Sequence, residues 1–417
     1  MTSMKLRNLF LASLAICAMA SCSEDENGPS VPQEVDAYLN IAAVSDMKTK
    51  SSTETSKEKG ELKEQVVNTL TAYLFTNDDA AKYVIHKTVT VDDADAVTTM
   101  IGEEKSITAI KGIHVKVEAP AETGGTSATK FKVVLLANAT LGAVADLAAL
   151  NEKETVDITT FTTIGGHYLP MHSNKDGLLV AGIKPYDPES QHLQNWYAAG
   201  TCVTQTVAND AEVTIPTGAG EIVMYRSIAR VQIESLNTAF TGQYSNATFN
   251  VDSIYLANVR ATATVMGEEN SDASYYRGAP ETFEVIQGLI DPTENAVKDG
   301  YLKIYPEGLS LSSNAVTTGI DFSKYIYANK QASSYQTRLI LAGDIIVDGV
   351  SRHKYFHIPL ADAAGENVVS NKIYKITATI TGEGNDKPDE ILDNACINFK
   401  ITVEKWTVVD QNEGDLN

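Results

Sequence analysis

The chain has 417 residues, of which 43% are hydrophobic and 21% are charged, and its formal net charge is −21. This composition is that of an ordinary globular protein and argues against wholesale disorder or a fibrous repeat. The acidic charge and the absence of arginine between Arg7 and Arg226 argue against nucleic-acid binding, which uses clustered lysine and arginine. At roughly 100 to 200 residues per domain, we expect about two domains after removal of a leader.

The first 21 residues have the pattern of a lipoprotein signal peptide. Lys5 and Arg7 precede an apolar run, residues 9–20, which is too short to span a membrane, and small residues stand directly before Cys22. We predict cleavage before Cys22 and its modification by acyl chains such as palmitate, which attaches the protein to the outer membrane. The alternative is an ordinary secretory leader with an incidental cysteine. The acidic residues 24–26 that follow resemble the surface-export signal of Bacteroidetes lipoproteins.

From residue 35 onward the dominant hydrophobic period is two, with turn residues between short runs. This pattern is typical of an all-β sandwich and not of alternating strands and helices. The runs that predict strands are residues 38–41, 69–75, 113–117, 130–137, 253–258, 301–305, 337–347, 354–359 and 372–381. Helical spacing predicts one helix over 141–151. A turn-rich stretch, 210–220, and a new strand-like run from 221 to 233 place a domain boundary near residue 222.

The N-terminal end of the mature chain combines a strand with a polar linker. Leu39, Ile41 and Ala43 share one strand face, and Lys48 and Lys50 follow in a Ser/Thr/Glu/Lys-rich segment that runs to residue 64. Polar, poorly packed loops of this kind are where proteases cut. The alternative interpretation is that these lysines are ordinary solvated charges.

The C-terminal end is an amphipathic strand. Four apolar side chains alternate with polar ones, and two more continue the apolar face after a one-residue shift at Lys405, which predicts a β-bulge. They are Ile397, Phe399, Ile401, Val403, Trp406 and Val408. Such a strand either completes its own sheet or that of a neighbouring molecule.

Cys202 and Cys396 are the cysteines outside the leader region, and whether they pair stays open. Nucleotide-binding, zinc-protease and serine-hydrolase motifs are absent from the sequence, and we expect neither cofactor, metal nor catalytic residues. Residues 92–95 are rich in aspartate and predict a solvated turn rather than a Ca²⁺ site. Trp196 and Tyr197 suit core packing better than a carbohydrate platform.

The sequence is similar, over nearly its whole length, to the Bacteroidales fimbrillins of the long and short fimbriae. The lipobox leader and the strand 38–44 come first, and 134–139 resembles the family's apolar strand that ends in an Ala-Asn pair. Residues 169–171 resemble its Pro-Met turn, and 225–231 its Arg-x-x-Ala-Arg/Lys strand. Residues 397–406 resemble its closing strand.

The resemblance implies two transthyretin-like β-sandwich domains in tandem, with short helical insertions. The expected organisation is a signal peptide (1–21), a lipid-anchored propeptide with the removable first strand (22–50) and domains at 51–222 and 223–417. A trypsin-like protease then removes the strand that carries Leu39, Ile41 and Ala43.

In the same scheme, removal of this strand opens an apolar groove, and the C-terminal strand of the next subunit fills it. Family proteases cut after arginine, but this linker has none, so we predict cleavage after Lys50 or Lys48, with Lys57 and Lys59 further along the linker.

The function that these expectations support is that of a fimbrial shaft subunit at the cell surface. Its partners are copies of itself, other fimbrial subunits, the processing protease, the outer membrane and an adhesion ligand on a host or bacterial surface. The alternatives are an anchor, accessory or tip subunit, a non-polymerising glycan-binding lipoprotein, and an enzyme.

Overall fold

The computed structural model describes residues 32–45, 62–161, 163–186, 193–206, 214–270, 274–276, 297–298, 306–331, 336–361, 365, 367–387 and 397–405. Strands dominate these ranges, so the all-β fold predicted from the period-two pattern is confirmed. The predicted strand at 301–305 lies outside the described residues.

Eleven strands from the first half of the chain form one continuous sheet. They are β1 (Glu34–Ser45), β2 (Thr69–Thr76), β3 (Tyr83–Thr90), β4 (Ala96–Ile101), β5 (Glu104–Glu118), β6 (Phe131–Ala137), β7 (Met171–His172), β8 (Leu178–Val180), β9 (Leu193–Ala198), β10 (Thr201–Thr206) and β11 (Glu221–Arg226). The main order is β10-β9-β1-β11-β7-β6-β2-β3, with β5 between β1 and β4, and β8 beside β6.

The sheet folds over a shared core because β11 joins its two parts. The first four residues of β11 pair with β1, and its last two pair with β7. Apolar side chains from both parts meet in one cluster, for example Leu39 of β1 and Ile113 of β5 with Leu70 of β2 and Leu135 of β6. The first half is therefore a β-sandwich.

The second half forms another β-sandwich. Its strands are β12 (Ala229–Thr238), β13 (Thr248–Ala257), β14 (Val259–Arg260), β15 (Tyr275–Tyr276), β16 (Val297–Lys298), β17 (Ser310–Leu311), β18 (Val316–Thr318), β19 (Ser323–Ile326), β20 (Arg338–Val347), β21 (Val350–Pro359), β22 (Lys372–Ile380) and β23 (Ile397–Lys405). The sheet β18-β12-β22-β23, with β19 beside β12, faces the sheet β17-β13-β20-β21. Between them lies a core that includes Val231, Ile376 and Leu341.

The second half also contains a separate three-stranded sheet, β14-β15-β16. The run predicted at 221–233 is divided between the two halves, because β11 belongs to the first sheet and β12 to the second sandwich. The domain boundary near residue 222 stays a prediction.

Helical structure is short. The α-helix α1 spans Leu147–Asn151, and 3-10 turns occur at Leu62–Glu64, Ile158–Phe161 and Gly242–Tyr244. No helix within the described ranges has the length and apolar composition that crossing a bilayer requires.

The predicted helix over 141–151 exists only in its second part. Its predicted start is wrong, because α1 begins six residues later, at Leu147. The side chain of Asp146 accepts a hydrogen bond from the amide of Ala149 at 2.8 Å and caps α1 there. Upstream, the Tyr73 hydroxyl donates to the carbonyl of Leu141 at 2.8 Å, which uses that carbonyl for a tertiary contact. The helical spacing of apolar residues did not reveal that a tertiary hydrogen bond from Tyr73 uses the Leu141 carbonyl.

We predict that His357 makes stability depend on pH. Burial, with a smaller effect from the charge of Arg338, lowers the pKa of His357 from 6.5 to about 4. The unfolded chain therefore binds this proton more tightly, so stability falls as pH drops from 6.5 toward 4, by about 3 kcal/mol in all. Burial also lowers the pKa of His172, which adds a loss of the same sign.

Urea unfolding between pH 7 and pH 4 measures this effect. His357→Gln should flatten the profile relative to wild type, whereas His167→Gln, at an exposed position, should leave the slope unchanged. Equal slopes for wild type and His357→Gln would contradict the assignment.

Candidate functional site

The first strand lies in the interior of the first sheet and is paired on both edges. Along one edge β1 runs antiparallel to β5, from Glu34 opposite Glu118 to Ala42 opposite Ala109. Along the other edge it runs parallel to β9 at Leu39 and parallel to β11 from Ala42 onward. A strand at the N-terminal end of the chain thus completes the ladders of three other strands.

One face of β1 lies in the core of the first sandwich. Leu39, Ile41 and Ala43, the side chains of the predicted removable strand, are fully buried on this face together with Ala37. They pack in the same cluster as Ile113 of β5 and side chains of β11. Removal of the strand would leave four apolar pockets.

The opposite face of β1 carries a buried amide, Asn40. Its Oδ1 accepts a hydrogen bond from the amide of Gly112 at 2.7 Å, and its Nδ2 donates to Oε1 of Gln194 at 2.6 Å. Gly112 has φ +64° and lies where β5 contains one extra residue opposite Asn40. The side chain of Asn40 therefore supplies a hydrogen-bond acceptor for the backbone N–H of Gly112 at this β-bulge. The sequence pattern did not indicate this role.

Trp196 packs beside Asn40 and is also fully buried, with Ala42 and Ala109 in the same cluster. Tyr197 is buried in the core of the first sandwich. The expectation that both aromatic residues pack in the core is confirmed, and burial removes the indole ring as a glycan platform.

A buried ionic cluster lies where β1 ends. The guanidinium of Arg226 donates through Nη2 to Oγ of Ser45 at 3.1 Å and to the carbonyl of Glu64 at 2.9 Å. Arg230 donates through Nη1 to both carboxylate oxygens of Glu64, at 3.0 and 2.9 Å. Glu64 is fully buried, and the Tyr325 hydroxyl also donates to its carboxylate.

This cluster connects the two halves of the chain. Glu64 lies in the 3-10 turn just before β2, whereas Arg230 and Tyr325 lie on neighbouring strands of the second sandwich. Burial, with a further effect from Glu64, raises the pKa of Tyr325, so its hydroxyl stays protonated and able to donate. Breaking a buried pair of this kind is strongly destabilising because it leaves an uncompensated charge.

The C-terminal strand β23 has fewer described strand neighbours than β1, and its apolar face is less buried. It pairs antiparallel with β22, from Ile397 opposite Ile380 to Lys405 opposite Lys372, and within the described ranges this is its one strand neighbour. Ile397 is buried, but the other predicted donor side chains on this face, Phe399, Ile401 and Val403, are only partly buried against the second core. In the single chain, β23 completes its own sheet.

Several predicted site residues lie outside the described residues. They are Cys22, Lys48, Lys50, Cys396, Trp406 and Val408. Cys202 lies on β10, and burial raises the pKa of its thiol to about 12, which keeps it protonated near neutral pH.

Two aspartates of the aspartate-rich stretch 92–95, and His172 of β7, have partners within the protein. Lys105 and Lys87 form ion pairs with Asp92 and Asp95, at 3.2 and 2.7 Å. Nδ1 of His172 donates to the carbonyl of Ser173 at 2.7 Å. Among the residues that the structure describes, no group of His, Cys, Asp or Glu could hold a metal ion.

Comparison with known proteins gives a family for this fold. Residues 37–226 match the family model described as the major fimbrial subunit protein, FimA. This match over the first half of the chain confirms the resemblance to the fimbrillin family that the sequence showed. Proteins of this family are subunits of cell-surface fimbriae and assemble with other fimbrial subunits.

Solved structures of fimbrillin-like proteins share the β-sandwich fold. A fimbrilin from Porphyromonas gingivalis matches with a TM-score of 0.60 at 15% identity, over 90% of this chain and 99% of that one. A protein from Parabacteroides distasonis, provisionally described as a cell adhesion protein, matches with a TM-score of 0.53 at 18% identity, over 90% and 100%. No protein of curated function matches the sequence.

Three of the fimbrillin-like motifs seen in the sequence, the Ala-Asn pair, the Pro-Met turn and the arginine motif, meet near the start of β2. Arg226 and Arg230 of the arginine motif hold Glu64, as described above. Asn138, from the Ala-Asn pair after β6, donates to the carbonyl of Leu169 in the Pro-Met turn at 2.8 Å. The sequence identified these motifs, and the structure shows that they meet in space.

We predict that Asn40 contributes to the stability of the unprocessed chain. Asn40→Ala leaves the Gly112 amide and the Gln194 side chain without their buried partner, which should lower the free energy of unfolding by about 1–3 kcal/mol. Val44→Ala is the control, because Val44 is on the same strand but 38% exposed, and it should cost clearly less. Urea unfolding of the two variants decides, and equal losses would contradict the proposed role of Asn40.

Proposed function

We propose that this fimbrillin is a shaft subunit that polymerises by strand exchange. It is exported as a lipoprotein through Cys22, cut after Lys50 or Lys48 by a trypsin-like protease, and joined to the next subunit when that subunit's C-terminal strand replaces β1. Because one surface accepts a strand and a different surface donates one, the contact is head-to-tail and does not close, so it produces a filament.

The observation that carries the proposal is the position of β1. It is an interior strand, yet its connection to the rest of the fold runs through residues 46–61, which contain the candidate lysines. A cut in this segment breaks the covalent link between β1 and the rest of the fold, and it leaves the other strands uncut. Loss of β1 then exposes unpaired backbone on β5, β9 and β11 and the pockets of its buried face, which is what strand addition requires.

The groove offers β23 a better site than its own sheet does. On β22, the strand pairs along one edge, and Phe399, Ile401 and Val403 are only partly buried. In the groove, it would pair along both edges, and the positions of Leu39 and Ile41 are fully buried. The gain in hydrogen bonds and apolar burial favours transfer once β1 has gone.

The donor side chains set a condition on this transfer. Ala37 and Ala43 fill two of the groove pockets, and the donor strand brings larger residues such as Ile397 and Val403. The strands that line the groove must therefore move apart at its two ends. Burying the six predicted donor side chains contributes at most roughly 9 to 18 kcal/mol, part of which β23 already has in its own sandwich.

Limited trypsin digestion of the soluble chain that begins after Cys22, followed by mass spectrometry and electron microscopy, tests the proposal. We expect a cut after Lys48 or Lys50 and then SDS-resistant ladders or filaments. Deletion of residues 397–417 should abolish the filaments without preventing the cut. A cut chain that stays monomeric would contradict the proposal, and a linker that resists protease would favour an anchor subunit that keeps β1 and its lipid.

The position of the cut generates a separate prediction. The double variant Lys48→Gln/Lys50→Gln should lose processing and assembly, because it removes the proposed recognition side chains from the linker. The matched variant Lys57→Gln/Lys59→Gln changes the same residue type and charge further along the linker and should assemble as wild type does. The reverse result would place the cut at Lys57 or Lys59.

A further inference from the structure

Besides the two arginines that hold Glu64, the side chain of Asn138 holds residues 66–69, which follow the processing linker. Its Oδ1 accepts hydrogen bonds from the amides of Asn68 and Thr69, at 2.8 and 3.3 Å. Its Nδ2 donates to the carbonyls of Val66 and Leu169, both at 2.8 Å. One side chain thus makes three hydrogen bonds to residues 66–69 and ties them to the turn before β7.

Asn138 reaches these groups because its backbone is left-handed, with φ +55°, directly after β6. Asparagine tolerates this conformation better than most residues with a Cβ. Together with Arg226 and Arg230, which hold Glu64, it fixes the chain from residue 64 to residue 69. We call these three side chains, Asn138, Arg226 and Arg230, the N-terminal clamp.

Within the described contacts, one hydrogen bond joins the clamp to β1, that from Arg226 to Ser45. The clamped segment also bonds to β5, since the amide of Val67 donates to Oγ of Ser106 at 3.0 Å and the amide of Ile107 donates to the carbonyl of Val67 at 2.8 Å. These bonds of the segment to the clamp and to β5 do not involve β1, so they can persist when β1 leaves.

The clamp also bears on the shape of the groove. Val67 is buried in the same apolar cluster as Leu39 and Ile41 of β1, so it lies against the core that the groove exposes. Its bonds to Ser106 and Ile107 fix β5, which is one wall of the groove. If the segment detached after cleavage, both the groove floor and this wall would lose support.

We propose that the N-terminal clamp holds the new N-terminal segment in place after processing, so that β1 alone is released and the acceptor groove keeps its shape. This inference rests on the proposed strand exchange. Asn138, Arg226 and Arg230 act through the segment 64–69, so they are positioning residues for assembly.

Asn138→Gly tests the clamp, because glycine adopts φ +55° without strain and removes only the side-chain contacts. The matched control is Asn258→Gly. Asn258 likewise has a positive φ, +58°, and directly follows a strand, β13 of the second sandwich; it is fully buried and donates to the carbonyl of Gln336 at 3.2 Å. Asn138→Asp, which keeps both accepting contacts and loses both donating ones, serves if the glycine variant does not fold.

The measurements are hydrogen exchange over residues 64–69 in the processed chain and the rate of filament formation. Asn138→Gly should speed exchange at least tenfold and slow assembly at least tenfold, with Asn138→Asp intermediate and Asn258→Gly within twofold of wild type. Equal effects of the two glycine variants, or wild-type behaviour of Asn138→Gly, would overturn the clamp. Failure of the processed wild type to assemble would instead count against strand exchange itself.

Discussion

The structure depends on one strand, β1, that completes the first sheet from its interior. β5 pairs with it on one edge, and β9 and β11 pair with it on the other, so the ladders of three strands rely on residues 34–45. An interior strand usually belongs to the fold permanently. Here it is attached through a single linker that is rich in lysine, serine and threonine, and the proposed strand exchange depends on this combination.

The two terminal strands differ in a way that gives assembly a direction. β1 has partners on both edges and a fully buried apolar face, whereas β23 has one partner in the described part of the chain and a partly buried face. In the proposed mechanism, the better site is occupied while β1 is present, and a neighbouring β23 gains nothing by moving. Loss of β1 would then favour transfer through the difference in pairing and burial. Under this proposal, proteolysis controls polymerisation by vacating a site and not by creating new surface chemistry.

The hydrophobic pattern predicted much of this fold because short apolar or alternating runs between turn residues are typical of strands. It located β1, β2 and β6, and in the second sandwich β12, β13 and β20 to β23, but not the short strands β14 to β19. It also placed Leu39, Ile41 and Ala43 on one face. It extended the helix of the first half too far, because spacing of apolar residues carries no information on the cap at Asp146. Glu64 was not identified, since a lone glutamate near a charged linker looks solvated until the arginines that enclose it are placed.

The asparagines show the same limit in another form. Leu136-Ala137-Asn138 and Leu256-Ala257-Asn258 are the same three residues after the first-half strand β6 and the second-half strand β13, and both asparagines have positive φ. Three shared residues in 120 are too few to register as a repeat. Their common backbone geometry becomes visible only in the structure, where Asn138 contacts the start of β2 and Asn258 a loop of the second sandwich.

In the proposed filament, residues 397–408 of one subunit occupy the place of β1 in its neighbour. Cryo-electron microscopy of filaments grown from the processed chain tests this most directly, because side-chain density identifies the strand that lies between β5 and the pair β9 and β11. We expect density for Phe399, Ile401 and Trp406 of the neighbouring subunit in that position. Density for residues 34–45 of the same chain would contradict it.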